Sequence, residues 1–196
     1  MILSIQQSLF GAERGGSARA NVDGGSRGSE AALLLGAHYQ NLVYGVIAGS
    51  PSDHVGGSYP DPGPAWTLGG RPVPRAPDTD FQTPHPTDAP ASIIDVAAIR
   101  GPVMTICGQQ DLLWPSCGFA ASIRAQRQAA TKATHDVYLS YIAAGHAVAS
   151  AARYYSRTEQ VTAPDGTALG GTVPADLAAA ADAHAQLLRF LAATTR

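Results

Sequence analysis

Three side chains suited to nucleophilic catalysis follow one another along the 196-residue chain: Ser26, Asp111 and His146. Ser26 sits in Gly24-Gly25-Ser26-Arg27-Gly28, a G-x-S-x-G pattern that puts a serine on a sharp strand-to-helix turn, where glycines let strand and helix approach closely. A hydroxyl there stands at a helix N-terminus, where the Arg27 backbone N–H and the helix dipole would stabilise a developing oxyanion. Asp111 comes just past one β-rich apolar run and His146 just past the next. In a parallel sheet, positions immediately after neighbouring strands converge on one edge. His146 would then take the Ser26 proton, with Asp111 fixing the imidazole tautomer and stabilising its charged form. Each residue also has a bland reading: a Gly-rich turn in a chain with 21 glycines, a polar strand end at Asp111, a loop histidine at His146.

The rival groups are weaker. His38, His54, His85, His135 and His184 follow no strand directly and fit surface or packing roles, while Asp53 and Asp95 are competing acids. No His/Cys/Asp/Glu cluster has metal-ligand spacing, so no metal is expected. The Arg27 side chain would either favour a carboxylate or phosphate on a substrate or stay solvated.

Positioning these groups takes strands that end where they stand. Residues 18–23 alternate, Ala18, Ala20 and Val22 against Arg19, Asn21 and Asp23, as a strand with one dry face does. Residues 29–38 then predict a short helix, apolar round most of its circumference and therefore mostly buried. Residues 42–48 and 103–107 read as buried strands. A helix follows over about 116–130, a third strand over 136–141 leads to Ala144-Gly145-His146, and Pro174 opens a long Ala-rich helix. Strands separated by helices, with crossovers of a dozen or more residues, predict an α/β fold with a parallel sheet. Residues 49–92 differ, holding ten of the fourteen prolines and little periodicity. They are expected to form a Pro/Gly-rich lid or excursion within a single domain spanning 1–196.

Composition narrows the classes of function. With 45% hydrophobic and 14% charged residues the chain is globular rather than disordered. A net charge of −2 and the lack of a basic run argue against nucleic acid as a partner. No apolar run reaches the roughly 18 residues of a membrane span, and Met1 to Phe10 does not read as a signal peptide. A soluble, cytoplasmic protein is expected. Cys107 and Cys117, the only cysteines, are too few for a disulfide scaffold or a four-cysteine zinc site.

On these residues the chain resembles the bile acid-CoA:amino acid N-acyltransferase and acyl-CoA thioesterase C-terminal domain family, a branch of the α/β-hydrolases. The likeness is carried by Gly24 through Leu33, Pro64-Ala65-Trp66-Thr67, Ile99 through Val103, Asp111-Leu112-Leu113-Trp114-Pro115-Ser116, Ala144-Gly145-His146 and Leu169-Gly170-Gly171-Thr172. It implies Ser26 as nucleophile, Asp111 as acid and His146 as base, acting on a small-molecule acyl ester or acyl-CoA without a cofactor. Trp66 and Trp114 are expected at the substrate; for Trp66, anchoring a loose loop is the competing role. In the family, serine at the nucleophile position goes with hydrolases and cysteine with amino-acid conjugation, so hydrolysis is favoured. The alternatives are a catalytically impaired binding domain and an acyl-CoA:amino acid N-acyltransferase. Only 25 residues precede Ser26, which predicts a partial α/β-hydrolase fold lacking the N-terminal strands. The loop giving a second oxyanion donor would be absent with them, a loss of about 2.7–4 kcal/mol of transition-state stabilisation. The polar strand before Ser26 would then lie at a sheet edge, open to homodimer formation.

Overall fold

The computed structural model describes residues 3–4, 19–59, 62–77, 82–132, 135–150 and 161–194. Its centre is a four-stranded, all-parallel sheet in the order β2 (Ala20–Gly25), β3 (Val43–Gly49), β6 (Val103–Gly108), β7 (Val137–Tyr141). Among the described residues three α-helices flank it: α1 (Arg27–His38), α2 (Ser116–Ala129) and α3 (Val173–Thr194). A second, small sheet joins β1 (Leu3–Ser4), β4 (Trp66–Leu68) and β5 (Arg71–Pro72). The α/β character and the parallel order agree with the sequence reading.

The period-two geometry of a strand explains the two cores. Val46, Ala48 and Val103 face one side of the sheet, where Leu33, Leu34 and Leu35 of α1 and Ile123 of α2 pack on them. Ile47, Met104 and Ile106, the alternate residues, face the other side and meet Ala179, Ala180, Ala183, Leu187 and Phe190 of α3. Strands β3 and β6 are thus covered on both faces, which is why their sequences read as continuous apolar runs.

Two details differ from expectation, the end of the first long strand and a disulfide. The strand before Ser26 runs to Gly25, because its ladder with β3 continues through Gly24↔Ala48 and Gly25↔Gly49; its expected start at Ala18 lies outside the described residues. Among the described residues β2 pairs only with β3 and so stands at the edge of the described sheet, as its polar face suggested. Cys107 and Cys117, given no structural role above, form a disulfide across a sequence separation of 10 residues. A bond of this kind is sustained by oxidising compartments. Among the described residues no helix is long and apolar enough to cross a membrane.

The Pro-rich stretch begins inside the core. Residues 50–57 are buried and are held by Val55 N–H to the Ser92 carbonyl (2.9 Å) and Ile94 N–H to the Asp53 carbonyl (2.9 Å). Only beyond Gly57 does the chain come to the surface.

Candidate active site

Ser26 stands between β2 and α1 with φ at +54°, a left-handed conformation that costs a non-glycine residue on the order of 1–3 kcal/mol. The turn is held from both sides: Ser26 N–H donates to the Gly49 carbonyl, and Ser29 N–H to the Ser26 carbonyl, each at 2.8 Å. Glycine is required at position 24, where a Cβ would lie 1.9 Å from the Gly28 carbonyl oxygen. Gly28 itself faces open space. Arg27 is the first residue of α1, so its backbone N–H belongs to the helix N-terminus that favours negative charge.

Asp111 lies in the loop between β6 and α2. Its Oδ1 accepts from Leu113 N–H (3.0 Å) and Trp114 N–H (3.2 Å), leaving Oδ2 directed at His146 Nδ1, 2.9 Å away. His146 follows β7 and its Nε2 lies 2.8 Å from Ser26 Oγ. Hydroxyl, imidazole and carboxylate, drawn from three strand ends, therefore form one hydrogen-bonded series, with the His146 and Asp111 side chains 6% and 1% exposed. In such a series the hydroxyl proton has an acceptor, and the ring that takes it has a charge partner.

The imidazole is braced by several further groups, of which sequence reasoning passed over Ser50 and Asp176. Ser50, directly after β3, donates its Oγ–H to the His146 carbonyl (2.9 Å), and its own carbonyl accepts from the Trp114 indole N–H (3.2 Å). Trp114 packs edge-on against the His146 ring, centroids 4.9 Å apart. His146 N–H donates to the Leu169 carbonyl at 2.8 Å. One residue earlier, Gly145 N–H donates to Oδ1 of the fully buried Asp176 at 2.8 Å, a carboxyl pushed up from its ordinary range by burial. The disulfide closes the loop that carries Asp111 and Trp114. Ser50 and Asp176 gave no signal in the sequence beyond a polar residue after a strand and an acid in a helix's first turn.

A cavity of about 650 Å³ opens at Ser26. One wall comes from the Pro-rich stretch, with Gly57, Ser58, Tyr59 and Gln82; another comes from Ala163, Asp165, Thr167 and Leu169, with Leu113 and Trp114 between. Tyr59 O–H donates to Asp165 Oδ2 at 3.4 Å, joining the two walls. Of the two tryptophans, Trp114 lines this cavity and Trp66 does not. Trp66 is buried in the core, with its indole N–H on Glu30 Oε2 at 2.8 Å; the loop-anchoring role fits its position and the acyl-pocket role does not.

Glu30 organises this corner. Its fully buried carboxyl is pushed up to about 7 by burial, against the charge of Arg27 and the N–H groups of Trp66 and Gly56. The Arg27 guanidinium pairs with Glu30 Oε1 at 3.3 Å and donates to the Gly56 and Gly57 carbonyls. Arg27 is thus neither purely solvated nor purely a substrate receptor: it lines the cavity while tying residues 56–57 to α1. The competing acids are engaged in the fold. Buried Asp53 pairs with the buried His54 ring (3.0 Å) and accepts from His85 N–H (2.8 Å), and Asp95 accepts from Ala98 N–H (3.2 Å). Among the described residues no group of three His, Cys, Asp or Glu could hold a metal ion. The expectation that a second oxyanion donor is lacking bears on the segment before Ser26, where residues 5–18 lie outside the described ones.

Over residues 77–196 the chain matches the protein family described as BAAT / Acyl-CoA thioester hydrolase C terminal, a stretch that includes Asp111 and His146 but not Ser26. No curated protein matches the chain.

Proposed function

Because this chain belongs to the BAAT / acyl-CoA thioester hydrolase C-terminal family, we propose that it is a serine hydrolase cleaving acyl thioesters or carboxylic esters through an acyl-serine intermediate. The observation that carries the reading is the unbroken series from Ser26 Oγ through His146 to Asp111 Oδ2, with links of 2.8 and 2.9 Å.

Ser26 Oγ attacks the acyl carbonyl as its proton passes to His146 Nε2. Asp111 accepts the Nδ1–H bond and stabilises the imidazolium. The oxyanion that forms faces the Arg27 backbone N–H at the start of α1. As the tetrahedral intermediate collapses, the bond to the leaving thiolate or alkoxide breaks and His146 returns the proton to it. Water then enters, gives a proton to His146 and attacks the acyl-serine; collapse releases the carboxylic acid and restores the Ser26 hydroxyl. A serine nucleophile favours this outcome over transfer to an amine, because the ester it forms is one that activated water resolves. The cavity beside Ser26 would receive the acyl chain, with the surface part of residues 49–92 covering it.

The test combines labelling with turnover. A fluorophosphonate probe is expected to modify Ser26, His146→Ala to suppress labelling, and Asp111→Asn to lower kcat by roughly 10⁴. Turnover of acyl-CoA or p-nitrophenyl esters should vanish in Ser26→Ala. Stoichiometric labelling of another residue, or turnover that survives Ser26→Ala, would overturn the assignment. Amide product on adding glycine or taurine would make the protein a transferase instead.

A further inference from the structure

We infer that the opposite end of the sheet carries a second binding site, one that takes a phosphate group. Ser26, Asp111 and His146 follow the C-terminal ends of their strands, whereas the second cavity, about 200 Å³, lies where the strands begin. Arg19 immediately precedes β2, Tyr44 is the second residue of β3, Pro102 immediately precedes β6, and Lys132 and His135 lie just ahead of β7; all line this cavity, as does Arg100. Strands of six residues at about 3.3 Å each separate the two ends by on the order of 20 Å.

The lining is strongly one-signed. Arg19, Arg100 and Lys132 are cationic side chains, His135 adds ring N–H capacity, and among the described residues the cavity wall holds no carboxylate. The nearest acid in sequence, Asp136, is already saturated. Its Oδ1 accepts from Arg127 Nη2 and Val103 N–H, and its Oδ2 from Arg127 Nε and the Tyr138 hydroxyl, all at 2.8 Å. Three cations gathered in one concavity of a chain whose net charge is −2 repel one another. An anion bound among them relieves that cost.

The positions of these cations are built rather than incidental. The fully buried side chains of Arg127 and Asp136 form a pedestal beneath them. The Arg127 guanidinium donates to the Ile99 carbonyl (2.6 Å) and the Gly101 carbonyl (2.8 Å), fixing the backbone on both sides of Arg100. It also donates to the Lys132 carbonyl at 3.1 Å, while Lys132 N–H donates to the Arg127 carbonyl at 2.9 Å. Glycine is required at 101, where a Cβ would lie 1.5 Å from the Tyr44 carbonyl oxygen; this close approach sets Arg100 beside β3. The Arg19 guanidinium lies over the Tyr44 ring, 4.8 Å from its centroid, and Arg100 is steadied by Asn41 at 3.1 Å. Forked guanidinium groups and an ammonium converging on a cavity of this size match the several oxygens of a phosphoryl dianion. Free phosphate and a phosphomonoester share that chemistry.

Isothermal titration of the full chain at low salt, with inorganic phosphate and with AMP as probes, tests the site. Both should bind saturably, and Arg100→Ala or Lys132→Ala should each weaken binding by about tenfold. Lys132→Arg should retain it. Both substituted positions, Arg100 and Lys132, are exposed, so the variants should melt with the wild type. Ester turnover should change by no more than about twofold, as expected of distant sites. Tighter binding of AMP than of phosphate would identify a phosphomonoester as the occupant, and equal binding the free ion. The inference is overturned if neither probe binds up to about 10 mM, if the alanine variants bind as the wild type does, or if prior fluorophosphonate treatment abolishes binding, which would put the phosphate at Ser26 instead.

Discussion

Replacing Glu30 with glutamine should flatten the pH dependence of stability across a defined window. The carboxyl is buried with an ordinary value of 4.5 pushed up to about 7 by desolvation, which outweighs the Arg27 charge and the Trp66 and Gly56 N–H groups. The folded protein therefore keeps this proton after the unfolded chain has lost it. Below pH 4.5 both states are protonated and the contribution to stability is fully present; between pH 4.5 and 7 the unfolded state ionises first, so stability falls as pH rises. At 1.36 kcal/mol for each pH unit, the loss across this window is about 3 kcal/mol. Glutamine keeps an oxygen for the Trp66 and Gly56 donors but cannot ionise. Urea unfolding of both proteins, followed by the fluorescence of the two tryptophans at several pH values, gives the difference in stability, in which every other titrating group cancels. That difference should move in favour of Glu30→Gln by about 3 kcal/mol from pH 4.5 to pH 7 and above. A flat difference, or one moving toward the wild type, would mean that Arg27 holds the carboxylate ionised and that burial does not dominate.

Two further perturbations separate steric need from sequence pattern. Gly24→Ala pushes a methyl into the Gly28 carbonyl and should cost about 3 kcal/mol or more, whereas Gly28→Ala, in open space within α1, should stabilise by about 0.4–1 kcal/mol; thermal melts with opposite shifts are expected, and equal losses would refute the close-approach argument. Opening the Cys107–Cys117 bond with dithiothreitol, or by Cys117→Ser, should cost about 2–3 kcal/mol for a loop of this length, and because Asp111 and Trp114 lie within it, labelling of Ser26 should slow as well. Unchanged labelling with lowered stability would confine the disulfide to a structural role.

What the sequence made legible follows from which residues carry their own signal. Strands β3 and β6 were visible because burial on both faces leaves an unbroken apolar run, and α3 because its apolar residues recur over many turns. Strand β2 was misjudged at its end because Gly24 and Gly25 look like a turn, while the ladder to β3 is a backbone interaction indifferent to their missing side chains. The two- and three-residue strands of the small sheet are too short to show periodicity. Ser26, Asp111 and His146 were legible through order and position after strands. The supports around them were not: Leu169 acts through its carbonyl and Gly145 through its N–H, contacts that leave no mark on residue type, and the Ser50 hydroxyl bonds a backbone carbonyl nearly a hundred positions away. Trp66 shows the converse error, since an aromatic residue in a loose loop suggests a binding role until a buried Glu30 is found to hold its indole N–H.

The family match and the hydrogen-bond geometry also support the site from different sides. Residues 77–196 hold the carboxylate and the imidazole, and likeness over that range is silent about which side chain they serve. The partner is found in space: Ser26, 120 positions before His146, meets its ring at 2.8 Å. That meeting depends on β2 and β7 lying on opposite sides of the β3–β6 pair in the same sheet, so the loops beyond them must reach inward across the ends of β3 and β6. Ser50, at the end of β3, and the Asp111 loop, beyond β6, occupy that intervening space and bond to the His146 backbone and ring respectively. A sheet missing either central strand would keep all three residue types and lose the bridge that brings them within reach. The proposed chemistry thus depends on strand order as much as on the three side chains themselves.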